Sequence, residues 1–314
     1  MNFITPEVRL AALREVRNGC VFCLSLPLDY PGGTVLSNIR HPPRLFASQD
    51  ATGKRFYNLP IGIGTDDPRG VACDDAVLLH TQYSTQWDSL AHWGQKFDVN
   101  GDGRREIVYY NGYRAGEHII SPQDDRGPAA KALGIETLAA TGVQGRAVVV
   151  SLLQEFGSGR TWVDLDKLQQ AMNSQGAEIK KGDFLLLHTG LDDALLSMHR
   201  KPDPGTVQRS GAVLDGRDEK LRNWIADSGL VAICSDNMAV EGFGYPDAES
   251  CGHTMLPLHE LCLFKLGIFL GELWRLGELS RWMLGERRTA CLLTAPPLRL
   301  PGAVGSPLTP VATV

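Results

Sequence analysis

Two stretches of this chain hold side chains that could do chemistry together. The first is Gln82-Tyr83-Ser84-Thr85-Gln86-Trp87-Asp88-Ser89-Leu90-Ala91-His92. Asp88 supplies a carboxylate and His92 an imidazole four positions later; wound as a helix, the stretch would put both on one face. His80, Gln82 and Gln86 add further donor atoms. Carboxylate and imidazole are ligands for a divalent ion, and imidazole titrates near neutral pH. On residue types alone the group reads either as an exposed polar pair or as a metal and proton-transfer site. The second stretch runs from His259 to Glu272. It places a histidine on the helical run Pro257–Leu266, closed by Gly267, and a glutamate on the strand-like run Ile268–Leu273.

Lesser candidates surround these. Asp98, Asn100 and Asp102 form the front half of a calcium-loop pattern, but Tyr109 stands where a bidentate glutamate is needed, leaving Glu106 for a shorter loop. The preferred reading is a turn whose Asn and Asp side chains bond their own backbone. Trp87 and Trp93 flank the first stretch and can line an aromatic substrate pocket, although core packing explains them equally well. His188 and Cys234 end apolar runs and read as structural. His80 ranks below the other donors, as a strand-end histidine. Cys20 and Cys23 make a CxxC inside an apolar run and are expected to be reduced core thiols rather than zinc ligands.

The elements that must position these groups follow from composition and pattern. The chain has 314 residues, 43% hydrophobic and 21% charged, which is long enough for a large core without staples. Its formal charge of −5 and scattered basic residues argue against a nucleic-acid partner. No secretory leader or apolar run of membrane-spanning length is visible, so a cytoplasmic location is expected. The seven cysteines (20, 23, 73, 234, 251, 262 and 291) are odd in number and irregularly spaced, which disfavours a disulfide framework.

Thr5-Pro6-Glu7 starts a helix expected over 5–18. Strands are expected at 20–26, 74–80, 107–110, 147–153, 183–188, 230–234, 268–273 and 289–293. Helices are expected at 164–172, 217–227, 257–266 and 276–284. The segment 29–70 is irregular, and the proline-rich tail 296–314 is expected to lie across the surface. Strands and helices alternate through the second half, predicting a mixed-sheet α/β fold with helices packed on the sheet, as one domain spanning 1–314.

The first stretch resembles the HxGTHxDxxxH motif of the cyclase and kynurenine-formamidase-like metal-dependent hydrolases, the group that includes isatin hydrolases. Thr85, Asp88 and His92 match. Gln82 and Gln86 stand where that motif has histidines, and Ser84 replaces its glycine. The run from His259 through Gly267-Ile268 to Glu272 resembles the family's second signature. Gly142–Ala147, Leu187–Gly190 and Cys234–Asp236 are similar to its scaffold.

The resemblance implies a swivelling β/β/α-like fold and a metal-dependent hydrolase. Asp88, His259 and Glu272 would be ligands, Gln82 and Gln86 would fill the substituted ligand positions, and His92 would be the general acid/base. It also implies a small-molecule substrate carrying a C–N bond (an amide, aryl formamide or cyclic amide) and a homodimer or homotetramer. A divalent ion would acidify a water and polarise the carbonyl. Two amide oxygens in place of imidazoles shift preference from Zn²⁺ towards Mn²⁺ or Mg²⁺ and disfavour a second ion. The substitutions also leave open a metal-free binding protein on the same scaffold, or a lactone hydrolase or dehydratase. Substrate contacts are expected from 29–70 and 112–130.

Overall fold

The computed structural model describes residues 1–64, 67–122, 127–243 and 254–314. Its centre is a nine-stranded mixed sheet. In chain order the strands are β1 (Val21–Cys23), β2 (Gln86–Asp88), β3 (Gln144–Ser151), β4 (Phe184–His188), β5 (Ala232–Ser235), β6 (Phe269–Glu272), β7 (Ala290–Thr294), β8 (Gly305–Pro307) and β9 (Val311–Thr313). They lie in the order β1-β9-β7-β3-β4-β5-β6-β2-β8. The middle four, β3 to β6, run parallel. The outer pairings are antiparallel.

The parallel centre follows from unbroken aliphatic runs, because strands covered on both faces have no polar side to show. Ala147, Val149, Phe184, Leu186 and Cys234 point to one face, where they pack with Trp87, Trp274 and Leu279. Val148, Val150, Leu185, Leu187, Ile233 and Leu270 point to the other, where they pack with Leu168, Leu221, Ile225 and Leu258. Helix α1 (Pro6–Leu13) and later helix α6 (Gly277–Gly285) contribute to the first layer. Between them in sequence, α2 (Leu165–Gln175), α4 (Glu219–Ser228) and α5 (Pro257–His259) contribute to the second, α5 continuing as the π-helix Glu260–Leu266. Asp164 and Asp218 cap α2 and α4, and Gly176 and Gly229 close them in the left-handed conformation. Helix α3 (Leu191–Ser197) follows β4 directly.

Several expected elements differ. Helix α1 stops at Leu13, five residues short, because the amides of Asn18 and Gly19 both donate to the carbonyl of Val314 and Glu15 turns to meet Arg146 at 3.0 Å. The CxxC cysteines are exposed rather than buried. Strand β1 is an edge strand, and its alternation sends Leu24 and Leu26 inward but Val21 and Cys23 to solvent. Cys251 lies outside the described residues. The tail does not lie across the surface: β8 pairs with β2, and β9 sits between β1 and β7 with Ala312 fully buried. Pro307 is tolerated because β8 is at the sheet's edge.

Within 29–78 the chain forms two exposed two-stranded ribbons, pairing Arg44–Ala47 with Asp75–Leu78 and Leu59–Ile61 with Gly70–Ala72. No helix among the described residues is long and apolar enough to cross a membrane.

Trp87 and Trp274 meet edge-to-face at 5.1 Å behind β2 and β6, and both are fully buried. Each indole N–H is satisfied, by the carbonyls of Ala295 and Gln86 respectively. Trp274→Ala is expected to cost about 3–5 kcal/mol, the usual penalty for emptying a buried aromatic site. Urea denaturation checks this; a loss below about 1 kcal/mol would mean the site collapses freely.

Candidate functional site

Strand β2 lies antiparallel to β6, with Gln86 opposite Glu272 and Asp88 opposite Leu270. Side chains alternate along a strand, so Gln86, Asp88 and Glu272 share one face and Trp87 takes the other. Gln86–Asp88 is a strand, so Asp88 and His92 do not share a helix face. His92 comes back to Asp88 through a turn in which its amide donates to Ser89, and its Nε2 stands 3.9 Å from Asp88 Oδ1. Trp87 cannot line the site, because it faces the opposite core. Trp93 does, edge-on to His259 at 5.3 Å.

His259 arrives from α5, above the same face. Its Nε2 lies 3.3 Å from Glu272 Oε1 and 3.9 Å from Asp88 Oδ2. The turn that joins its helix to β6 uses Gly267 at φ +68°, where an added Cβ would sit 2.7 Å from the Tyr110 ring. Thr85 accepts from the amide of Leu26 at 2.8 Å and donates to the carbonyl of Leu273, tying β2 to its neighbours.

The two glutamines are close but not equivalent. Gln82 presents its amide nitrogen, donating to Asp88 Oδ1 at 2.6 Å and lying 2.8 Å from His92 Nδ1. Gln86 donates to Glu272 Oε2 at 2.6 Å, and its own Oε1 is buried without a partner, as is Asp88 Oδ2. Unsatisfied buried acceptors are costly, and Asp88 Oδ2 stands 3.9 Å from His259 Nε2. Ligand atoms of Asp88, His92 and His259 all lie within 4.8 Å of one another, so the group could hold a metal ion.

One residue that the sequence reading missed completes the arrangement. Glu241 is buried and accepts from the amides of Leu258 and His259, each at 2.8 Å, and from His259 Nδ1 at 2.9 Å. It satisfies orphan donors of the first helical turn and fixes the imidazole. Its only sequence signal is a lone acid in Ala239-Val240-Glu241-Gly242. Arg40 was also unforeseen. Its guanidinium donates to the carbonyl of Gln82 at 2.8 Å, at the edge of the site.

Residues 24–242 match a family model described as "Putative cyclase". The chain belongs to this cyclase family. A crystal structure of a novel cyclase is similar at 28% identity and a TM-score of 0.76, covering 100% of this chain and 92% of that one. Isatin hydrolase A from Labrenzia aggregata, solved with benzyl benzoate, shares the fold at 15% identity and a TM-score of 0.58, covering 96% of this chain and 95% of that one. A predicted metal-dependent hydrolase from Bacillus stearothermophilus shares it at 12% identity and a TM-score of 0.51, covering 94% and 98%. No curated protein matches. The cyclase fold is thus the mixed α/β arrangement expected from the sequence.

Beside the polar cluster is a cavity of about 490 Å³, lined by Leu36, Trp162, Leu191, Met238 and Phe243, with Glu241 in its wall. A narrow cleft lined by Arg40, Gln82 and Tyr83 shares Leu36 and Met238 with it. Segment 29–70 therefore reaches the site, whereas residues 112–122 do not line this cavity; 123–126 lie outside the described residues. The other candidates lie elsewhere. Asp98 accepts from the amides of Gly101, Asp102 and Gly103, and Asp102 from Arg104, so the loop is a turn closed by its own side chains. Asn100 pairs with Glu106 and Arg114. His80 is exposed beside His41. Cys234 is fully buried, and burial pushes its thiol well above its usual range.

Burial alone would lower the His259 pKa, but hydrogen bonds with Glu241 and Glu272 raise it to about 10. Glu272 is pushed up by burial and by Asp88, against the pull of His259. His92 is lowered, chiefly by burial, while Asp88 opposes that shift. With chelator present, His259 should be an imidazolium at neutral pH. A raised folded-state pKa contributes stability below about 6.5, and that contribution is lost as pH climbs towards about 10. Urea melts across this range should show falling stability; a flat or rising profile would contradict the assigned hydrogen bonds.

Proposed function

We propose that this protein is a metal-dependent hydrolase that cleaves a C–N bond in a small amide, aryl formamide or cyclic amide. The observation that carries the reading is the pair of unpartnered buried acceptors, Gln86 Oε1 and Asp88 Oδ2, beside a histidine whose Nδ1 is held by Glu241. A carboxylate on Nδ1 is the outer partner that a metal-bound imidazole needs, and loss of the Nε2 proton would free that nitrogen for the ion.

The donors that would hold the ion are Gln86, Asp88, His259 and Glu272. An oxygen-rich set of this kind favours Mn²⁺ or Mg²⁺ over Zn²⁺. Once bound, the ion would supply Lewis acidity for a water and a carbonyl oxygen.

The chain's own residues do the rest. Gln82 holds Asp88 and His92 in register, one amide hydrogen to each. With Nδ1 protonated, His92 takes a proton from water at Nε2 and returns that same proton to the leaving nitrogen. This requires the isosteric Gln82 amide to turn, so that its oxygen accepts from Nδ1–H and Asp88 Oδ1 is released from its amide hydrogen. Trp93 closes one wall against water, and the apolar cavity receives the substrate's ring or chain. A neighbouring fold is that of isatin hydrolase A; an aryl amide suits the cavity beside Glu241.

A second reading is a binding protein without an ion. Gln82 and Gln86 both donate to carboxylates, which partly satisfies the cluster unaided. Elemental analysis of protein purified without chelator separates the two; a stoichiometric divalent ion supports the enzyme. His92→Ala should lower kcat on an aryl formamide or cyclic amide about 10²–10⁴-fold with an unchanged melting temperature. Full turnover in this variant would remove His92 from the reaction.

A homodimer or homotetramer is the assembly we assign. Its support is the ribbon near residues 44–78, which leaves Leu45 72%, Leu78 59% and Val77 47% exposed. Leu45→Glu combined with Val77→Glu should yield a monomer in light scattering; a wild-type monomer sinks the assignment.

A further inference from the structure

A second polar cluster lies away from the site above. Ser151, His188 and Ser235 end the parallel strands β3, β4 and β5, with Ser151 directly opposite His188 in the register. Asp192 and Asp193 open α3 just beyond. His188 is 2% exposed and Asp192 0%. His188 Nδ1 lies 3.2 Å from Ser151 Oγ, whereas its Nε2 is buried with no partner. That nitrogen faces Asp192 Oδ1 at 3.8 Å. One ligand atom each from His188, Asp192 and Asp193 lies within 4.8 Å of the other two.

The surroundings are rich in negative charge. Asp236 is fully buried and accepts from the amides of Thr189 and Gly190. Asp192 accepts from the amides of Asp193 and Gly277, which ties it to the start of α6. The cation within reach is Arg281, paired with the outer oxygen of Asp193 and with a side chain more than half exposed. Two buried carboxylates and an unpartnered imidazole nitrogen therefore share one pocket of polar atoms.

We propose that His188, Asp192 and Asp193 form a second cation site, binding a first-row divalent ion through His188 Nε2 and one oxygen of each aspartate. With the Nδ1 proton directed to Ser151, Nε2 is a bare lone pair, and Ser151 orients the ring as an outer partner does. The site is structural: His188 and Asp192 are buried, and the ion joins the end of β4 to the starts of α3 and α6. Asp193, half-buried at the surface, is the route of entry, and Arg281 is displaced as the ion arrives. The mixed nitrogen and carboxylate set suits Zn²⁺ or Co²⁺ better than Mg²⁺.

No residue is shared with the proposed active site, so the two stand or fall separately. The test counts metal after stripping with chelator and reloading with Co²⁺ or Zn²⁺, by elemental analysis of the gel-filtered protein. The Asp88→Asn/His259→Gln variant, which disables the first site, should retain one equivalent and show cobalt d–d absorption. Adding His188→Gln should abolish both. Should His188→Gln fail to fold, Asp193→Asn in the same background replaces it and should weaken Co²⁺ binding at least about tenfold. If the double variant binds no ion, or if His188→Gln and Asp193→Asn leave its binding unchanged, the site is refuted. A wild-type protein holding one ion that His188→Gln removes would support this site and count against the first.

Discussion

The antiparallel pairing of β2 with β6 is the constraint on which the site depends. A strand turns alternate residues to opposite faces, so one register fixes the direction of four side chains at once. Gln86, Asp88 and Glu272 face the α5 side and Trp87 the other, while Trp274, past the end of β6, is brought to the Trp87 side after Leu273 at φ +54°. A slip of one residue would bury the carboxylate among the indoles and push Trp87 against His259. The tryptophan pair is therefore part of the site's machinery although it never touches it: its packing makes the wrong register expensive.

Charge is the second constraint. Asp88, Glu241 and Glu272 are all buried around a single imidazole. Burying carboxylates without compensation is prohibitive, so each must find a proton, donor or cation. Glu241 takes backbone amides at the start of α5, where the helix end is positive. Glu272 takes Gln86 and His259. Asp88 takes Gln82 on one oxygen and nothing on the other. The incomplete partner set converges on one small region.

The middle of the sheet was legible because strands covered on both faces read as uninterrupted aliphatic runs, and 147–153, 183–188, 230–234 and 289–293 fall within a few residues of β3, β4, β5 and β7. The flanks were not. Gln86–Asp88 and Gly305–Pro307 have polar or small side chains and become strands only through the partners they meet. Residue type left Trp87 open between pocket and core, and only the strand's period of two sends it to the core. Asp88, His92, His259 and Glu272 were named from motif resemblance, and the fold gathers them. Glu241 escaped because its partners lie 17 and 18 positions further along the chain, across a stretch of sequence with no periodic pattern.

The glutamines alter the chemistry beyond donor strength. A histidine ligand must lose a proton before it binds a cation, so a site rich in histidine weakens steeply as pH falls. An amide has no proton to lose near neutral pH. Turned one way, its nitrogen donates to a carboxylate; turned the other, its oxygen faces a cation, and the two states have the same shape. Gln82 and Gln86 can thus stabilise the carboxylates while the site is empty and yield to an ion without a titration step. On the proposed reading, an ion would take the place of a proton on His259 Nε2, while the hydrogen bond from Nδ1 to Glu241 would stay intact. The substituted cyclase site would couple metal binding to pH through one imidazole rather than three, and that difference follows from side-chain chemistry alone.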